Sequence, residues 1–293
     1  FMDSLAENGV VYERAYAPSS WTVPSIVSII TGLDPTSHGV EHGAPLTKSN
    51  HAQEVVAESS TMLQEYLQKH GYTTFGITTN GHLASKFGFA RGFDAYMNLA
   101  WEGAESVNRV LAVWEEEIEA AEPAFVWLHY FDPHSPYNPQ LPWVAAYNPT
   151  YAEMADEVGS PGNPDAYLEM GIEPGTAGFH YALSTYDSEI SYVDAAIGQA
   201  LHTLDKDGEA LVIVASDHGE EFYDHEQYNH GVTLFDEVTR VPLIVKHPQA
   251  KVKARVSDLV GLVDIVPTVL AAVGHDPEGT NPPVTDGEVL PVA

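Results

Sequence analysis

Hydrophobic positions along the 293-residue chain switch repeatedly between a helical period and an extended one. Val10-Val-Tyr12 reads as a short extended piece. Pro24 to Ile30 is apolar at helical spacing. Glu58 to His70 puts Met62, Leu63, Tyr66 and Leu67 on one helical face and stops at Gly71. Thr73 to Thr78 follows as a strand. Ala104 to Ala121 predicts a helix with Val107, Val110, Leu111 and Trp114 inward; Pro123 ends it, and Ala124 to Leu128 reads as a buried strand. Tyr181 to Leu204 predicts a long helix with Ile190, Val193, Ile197 and Leu201 as its stripe. Ala210 to Ala215 is short, apolar and β-branched, as a central parallel strand should be. Arg240 to Lys246 predicts another strand. Ser257 to Val273 begins extended and ends as a helix closed by Gly274. Helices alternating with strands predict an α/β fold, a mostly parallel central sheet flanked by helices in three layers. No repeat and no long linker divides the chain, so residues 1–293 read as one domain. Residues 138–178, rich in Pro, Gly and Asn, read as an irregular substrate-side loop.

Composition narrows the function. Hydrophobic residues make up 44%, enough for a real core. No window approaches the roughly 18 apolar residues of a membrane span. The absence of cysteine excludes disulfides, thiolate metal sites and a cysteine nucleophile. With 42 acidic and 12 basic residues, the net charge of −30 opposes nucleic acid and anionic membranes as partners. The acids are dispersed, apart from the run Glu115 to Glu117. Adaptation to high salt and an ordinary acidic surface both fit that pattern. No charged-then-apolar leader follows Phe1; compartment and oligomeric state stay open.

Two stretches carry chemistry. In Ala17-Pro-Ser-Ser-Trp-Thr-Val-Pro-Ser-Ile, Thr22 sits where an N-cap belongs, Pro24 lies in the first turn and Gly32 lies past the end. Thr22 either caps the helix or presents a hydroxyl where the helix dipole favours an alkoxide and a bound anion. Ser216-Asp-His-Gly-Glu220 follows the strongest strand directly, and ligands gather at the carboxyl ends of strands in open sheets. Asp217 and His218 are adjacent oxygen and nitrogen donors suited to a divalent cation; a polar turn would also use such residues.

With these stretches the chain resembles the sulfatase family of the alkaline-phosphatase superfamily. Thr22-Val-Pro-Ser-Ile, Thr31-Gly, Pro35 and His38-Gly39 look like the nucleophile signature. Ser216-Asp-His-Gly-Glu220 looks like the metal-binding turn, and Leu128-His-Tyr-Phe-Asp-Pro-His-Ser-Pro-Tyr137 like a substrate-contacting segment. Asn80-Gly-His-Leu83, Val263-Asp-Ile-Val-Pro-Thr268 and Asp286-Gly follow in family order. The resemblance implies an alkaline-phosphatase-like sandwich and one divalent metal ion (Mn, Zn, Ca or Mg). It implies Thr22 as nucleophile and metal ligand, with Asp217 and His218 as further ligands. It also implies His82 and His134 near the transferred group, and Asn80, His129 and His230 as substrate contacts. His230 also falls where relatives place a second-metal ligand, and His129 alternatively only bonds within its strand end.

Departures from the pattern refine this expectation. Sulfatases attack through a formylglycine made from cysteine or serine; the resemblance therefore implies an ordinary threonine alkoxide here. Ile26 stands where the signature has arginine. Both changes imply a phosphoric or phosphonic ester rather than a sulfate. A genuine sulfuric ester hydrolase, a phosphotransferase and a sulfatase-like binding protein that has lost its chemistry remain open. Relatives begin with a strand ending in an acidic metal ligand, which Asp3 lies too late to supply, so the resemblance implies a domain without its first strand.

Overall fold

The computed structural model describes residues 1–41, 56–153, 173–248, 253–274 and 283–291. In chain order, the helices are α1 (Met2–Glu7), α2 (Thr22–Thr31), α3 (Pro35–His38), α4 (Leu63–Lys69), α5 (Ala104–Ala120), α6 (Trp143–Tyr147), α7 (Ala177–Leu204), α8 (Asp236–Thr239) and α9 (Ile265–Ala272). The strands are β1 (Val10–Tyr16), β2 (Thr73–Thr78), β3 (Ala95–Asn98), β4 (Ala124–His129), β5 (Val212–Ala215), β6 (Glu221–Phe222), β7 (Tyr228–Asn229), β8 (Arg240–Val241), β9 (Leu243–Lys246) and β10 (Ala254–Gly261).

Two sheets form the middle layer. One runs β3-β2-β4 and is wholly parallel; the other runs β10-β1-β9-β5, with β8 also paired to β1. β1 and β10 are parallel, and β9 runs antiparallel to both β1 and β5. The expected α/β class holds; among the described residues the middle layer is divided between these two sheets, one of them mixed, and β6 and β7 form a separate two-stranded ribbon. Period-2 alternation places each face. Val10, Tyr12, Leu243 and Val245 pack with α4 and α9, while Val11, Ile244 and Val212 pack with Leu5 of α1 and Leu201 of α7. In the parallel sheet, Val126 and Leu128 face α5 and α7, whereas Trp127 faces the apolar side of α2. The sheets are therefore covered on both faces, which is the three-layer arrangement.

Several elements differ from their predicted limits for local reasons. The Glu65 carboxylate accepts from the Met62 N–H at 3.0 Å, so α4 starts at Leu63 rather than at Glu58. Pro242 lacks a ladder donor and splits the predicted 240–246 strand into β8 and β9. Residues 138–178 are not wholly irregular: α6 packs on α7, with Tyr147 Oη 2.8 Å from Ser191 Oγ. Residues 154–172 of that stretch lie outside the described residues.

β4 and β5 do not pair with each other, although His129 at the end of β4 and Asp217 just after β5 line one cleft. A cleft of about 1500 Å³ lies between them, lined by both strands and by apolar side chains of α5, α7 and α9. Every residue of β4 stays only part-buried, although Ala-Phe-Val-Trp-Leu reads as core. An unpaired apolar edge of this kind attracts apolar ligands. Nile red, a neutral dye that the acidic surface does not repel, should bind residues 1–293 with blue-shifted emission; no uptake would contradict an open apolar cleft.

Candidate active site

The first turn of α2 places the threonine. Trp21, extended at φ −158° and ψ 162°, is the N-cap, and Thr22 is the first helical residue. This corrects the predicted capping place. The reason is Pro24: with Thr22 as cap, the N2 position would be a residue without an N–H to offer. The Thr22 side chain is thereby released from capping. The N–H groups of Thr22 and Val23 have no intrahelical acceptor, which makes the turn an anion-favouring end. Gly32 closes the helix in the left-handed region at φ 70°, as its position predicts.

The turn after β5 meets this helix end. Gly219 N–H donates to Val238 O at 2.9 Å, and a Cβ at Gly219 would lie 2.1 Å from Glu237 O, so only glycine fits. Ser25 Oγ–H donates to Asp217 O at 2.5 Å, tying α2 to the turn. His218 Nδ1–H donates to Gly219 O at 2.8 Å, which leaves Nε2 as the acceptor. Thr22 Oγ1 lies 3.3 Å from that Nε2, and Asp217 Oδ2 lies 3.7 Å from it. Asp217 Oδ2 is shut from solvent and has no hydrogen-bond partner. Burial works against its charge, but His218 and His129 outweigh it, so the Asp217 carboxyl sits below its ordinary value.

A second group of imidazoles lies alongside. The His230 ring is 4.3 Å from His218 and 4.8 Å from His134, centre to centre. His134 Nδ1–H donates to Ser135 O. Burial, then the neighbouring His230, brings the His134 value down to about 4, so it is neutral at neutral pH. His230 Nδ1–H donates to Glu220 Oε1 at 2.9 Å, and Tyr137 Oη–H donates to Glu220 Oε2 at 2.9 Å. His129, at the end of β4, keeps an Nδ1 shut from solvent without a partner, and burial lowers its pKa.

Thr22, Asn80, His129, His134, Asp217, His218 and His230 all line the one cleft; His82 lies outside it. The His82 ring packs edge-on against Trp101 at 5.6 Å, and burial lowers its pKa. Asn80 is buried, and its Oδ1 accepts from His82 N–H at 2.9 Å, which leaves its amide donors for another group. Ser25, Glu220 and Tyr137 also belong to the site. All three lie inside the quoted motifs, but their roles come from contacts 192 and 83 residues apart, which spacing does not reveal.

The sequence profile of the family described as Sulfatase matches residues 1–275. This chain belongs to the sulfatase family. An uncharacterized sulfatase, YidJ, of Escherichia coli (strain K12) is 24% identical to it, with 92% of this chain and 62% of the relative covered. Arylsulfatase K of Homo sapiens is 25% identical, with 94% of this chain and 58% of that protein covered. The chain thus spans about three fifths of the length of these relatives. Phosphonate monoester hydrolase of Agrobacterium radiobacter superposes with a TM-score of 0.73 at 18% identity, covering 98% of this chain and 70% of that one. At that identity the likeness speaks for the fold, which is alkaline-phosphatase-like.

The donor set of this sulfatase-family chain fits part of a cation site. Asp217 Oδ2, an orphaned buried oxygen, stands beside His218 Nε2 and Thr22 Oγ1, a hard and borderline set that suits a divalent ion. Among the described residues no group of three His, Asp or Glu side chains is placed to hold a metal ion by itself.

Behind the site, Glu189 of α7 is 1% exposed; its Oε1 accepts from Asn138 N–H at 2.9 Å and its Oε2 has no partner. Burial, then the charge of Asp132, pushes its carboxyl up to about 9. A folded-state value above the unfolded one stabilises fully below the unfolded value, and that contribution is lost as pH rises through the folded one. Glu189→Gln should therefore raise the melting temperature at pH 8 and give a smaller gain at pH 5. Equal melting temperatures at pH 8 would contradict a buried neutral acid.

Proposed function

We propose that this chain carries the catalytic unit of a metal-dependent hydrolase that cleaves small anionic esters through Thr22, with phosphoric or phosphonic esters favoured over sulfates. The observation that supports it is the meeting of Thr22 Oγ1 with His218 Nε2 at 3.3 Å, beside the unpaired Asp217 Oδ2. Two features favour phosphorus. Threonine is an unmodified hydroxyl, and Ile26, 3% exposed, packs into an apolar cluster where a sulfatase signature has a cation.

In this reading the anionic group of the ester docks at the first turn of α2, against the Thr22 and Val23 N–H groups. Thr22 Oγ1 bonds to phosphorus in line as the bond to the leaving oxygen breaks. Asp217, His218 and Thr22 would hold a divalent cation, which supplies charge that lowers the proton affinity of the hydroxyl and balances the non-bridging oxygens. His134, neutral and with Nδ1–H committed, turns an Nε2 lone pair to the cleft, so it accepts from a P–OH group or a water rather than donating to an anionic oxygen. Because His82 lies outside the cleft, the Thr22 proton passes to solvent water and the leaving oxygen takes its proton from water in this reading; Asn80 and His230 contact the anion. Water then releases the phosphorylated threonine. An acceptor alcohol would make the protein a phosphotransferase. His129 serves the Asp217 side of the site better than the substrate, given its shielded Nδ1.

We also propose that the cleft between β4 and β5 is closed by one further strand of polypeptide from outside residues 1–293. The half-exposed apolar faces of β4 and the helices already covering both sides support this. Residues 138–178 remain the proposed seat of substrate choice.

Chromogenic aryl phosphate mono- and diesters, phosphonates and sulfates, offered with and without Mn²⁺, Zn²⁺, Ca²⁺ or Mg²⁺, test the reading. Phosphorus esters should turn over with metal, and Thr22→Ala should lower the rate by roughly a thousandfold or more. Retained turnover in that variant would end the nucleophile assignment. Faster sulfate cleavage would make the protein a sulfuric ester hydrolase, and no metal binding at all would make it a binding protein.

A further inference from the structure

Three imidazoles in the cleft share one habit: each commits its Nδ1–H to a fixed acceptor. For His218 and His134 the acceptor is a backbone carbonyl, of Gly219 and of Ser135. For His230 it is the Glu220 carboxylate at 2.9 Å. A carbonyl one residue away is set by the chain itself, whereas the Glu220–His230 contact joins the turn after β5 to the residue after β7. Glu220 is built for this. Its side chain is 4% exposed, and Oε2 takes the Tyr137 hydroxyl while Oε1 takes His230. Burial, then the charge of Glu220, raises the Tyr137 hydroxyl well above its ordinary value, so Tyr137 stays a donor. Among the described residues, no lysine or arginine pairs with Glu220.

We infer that Glu220 is a positioning residue: it fixes the tautomer and ring orientation of His230 so that Nε2, not Nδ1, is the atom that faces the cleft and the anionic group bound there. The inference rests on the hydrolase reading for the identity of that group, but not for the tautomer. A carboxylate has no hydrogen to give, so only the Nδ1–H form of His230 satisfies Oε1. Tyr137 belongs to the segment after β4 that carries His134, so one carboxylate aligns two loops at once. The 4.8 Å edge-on contact between His134 and His230 is then set by Glu220 from one side and by the Ser135 carbonyl from the other.

Long-range ¹H–¹⁵N correlation spectra of the uniformly ¹⁵N-labelled 293-residue chain read each histidine tautomer directly. His230 should give the Nδ1–H signature in the wild type and in Glu220→Gln, whose amide oxygen can still accept. In Glu220→Ala the His230 signals should shift to a mixture of tautomers, while His134 and His218 keep theirs. Inorganic phosphate, titrated with the metal that supports turnover, should bind about tenfold more weakly to Glu220→Ala and within about threefold of wild type to Glu220→Gln. An Nε2–H tautomer for His230 in the wild type overturns the inference, even if the alanine variant does not fold. So does a folded Glu220→Ala chain with unchanged His230 signals. Absence of phosphate binding in every variant counts against the hydrolase reading alone, since the tautomer is read without ligand.

Discussion

The hydrogen bond from Ser25 Oγ to Asp217 O, 2.5 Å long and spanning 192 residues, holds the site together. It joins the first turn of α2 to the turn after β5. Without it, Thr22 and the Asp217–His218 pair belong to two separate elements. Ser25 is fully buried and its bond is made in the interior, where a lost partner leaves an unsatisfied carbonyl, at a cost of about 1–3 kcal/mol. The 3.3 Å approach of Thr22 to His218 depends on that one link and on Gly219, whose missing side chain lets the turn sit against Glu237 O.

Asp217 Oδ2 and His129 Nδ1 are both buried without a hydrogen-bond partner, and their side chains are close enough to interact electrostatically. Folded chains do not leave such atoms dry without reason. In the proposed reading, the carboxylate oxygen and imidazole nitrogen left open there would serve a cation, and the end of α2 would serve an anion. Around them, the Nδ1 hydrogens of His134, His218 and His230 are already committed to fixed acceptors. Against 42 acids and 12 bases over the whole chain, this enclosed cluster of imidazoles is the more distinct.

Much of this was legible from residue order, and the failures have physical causes. β2 matches its predicted limits because Thr73 to Thr78 is bounded by Gly71 on one side and polar residues on the other. α5 matches to within a residue because Pro123 and the stripe from Val107 to Trp114 define it. β3 and the β6-β7 ribbon were not read, since each is short and takes its pairing from distant strands or a tight turn. The antiparallel course of β9 could not be read either: strand direction within a sheet is set by connections, and Leu-Ile-Val-Lys looks alike in both senses. In the site, Thr22, Asp217, His218, His134 and His230 do share one cleft, as residue types and motif order suggested. His82 does not, because the turn that Asn80 caps directs it to Trp101.

The central claim is that Thr22, Asp217 and His218 converge on one cation, and anomalous diffraction at the manganese edge tests it most directly. A crystal of this chain grown with Mn²⁺ should show one anomalous peak within about 2.4 Å of Asp217 Oδ2, His218 Nε2 and Thr22 Oγ1 together. A peak elsewhere, or one that touches His218 but leaves Asp217 and Thr22 out, would contradict the account.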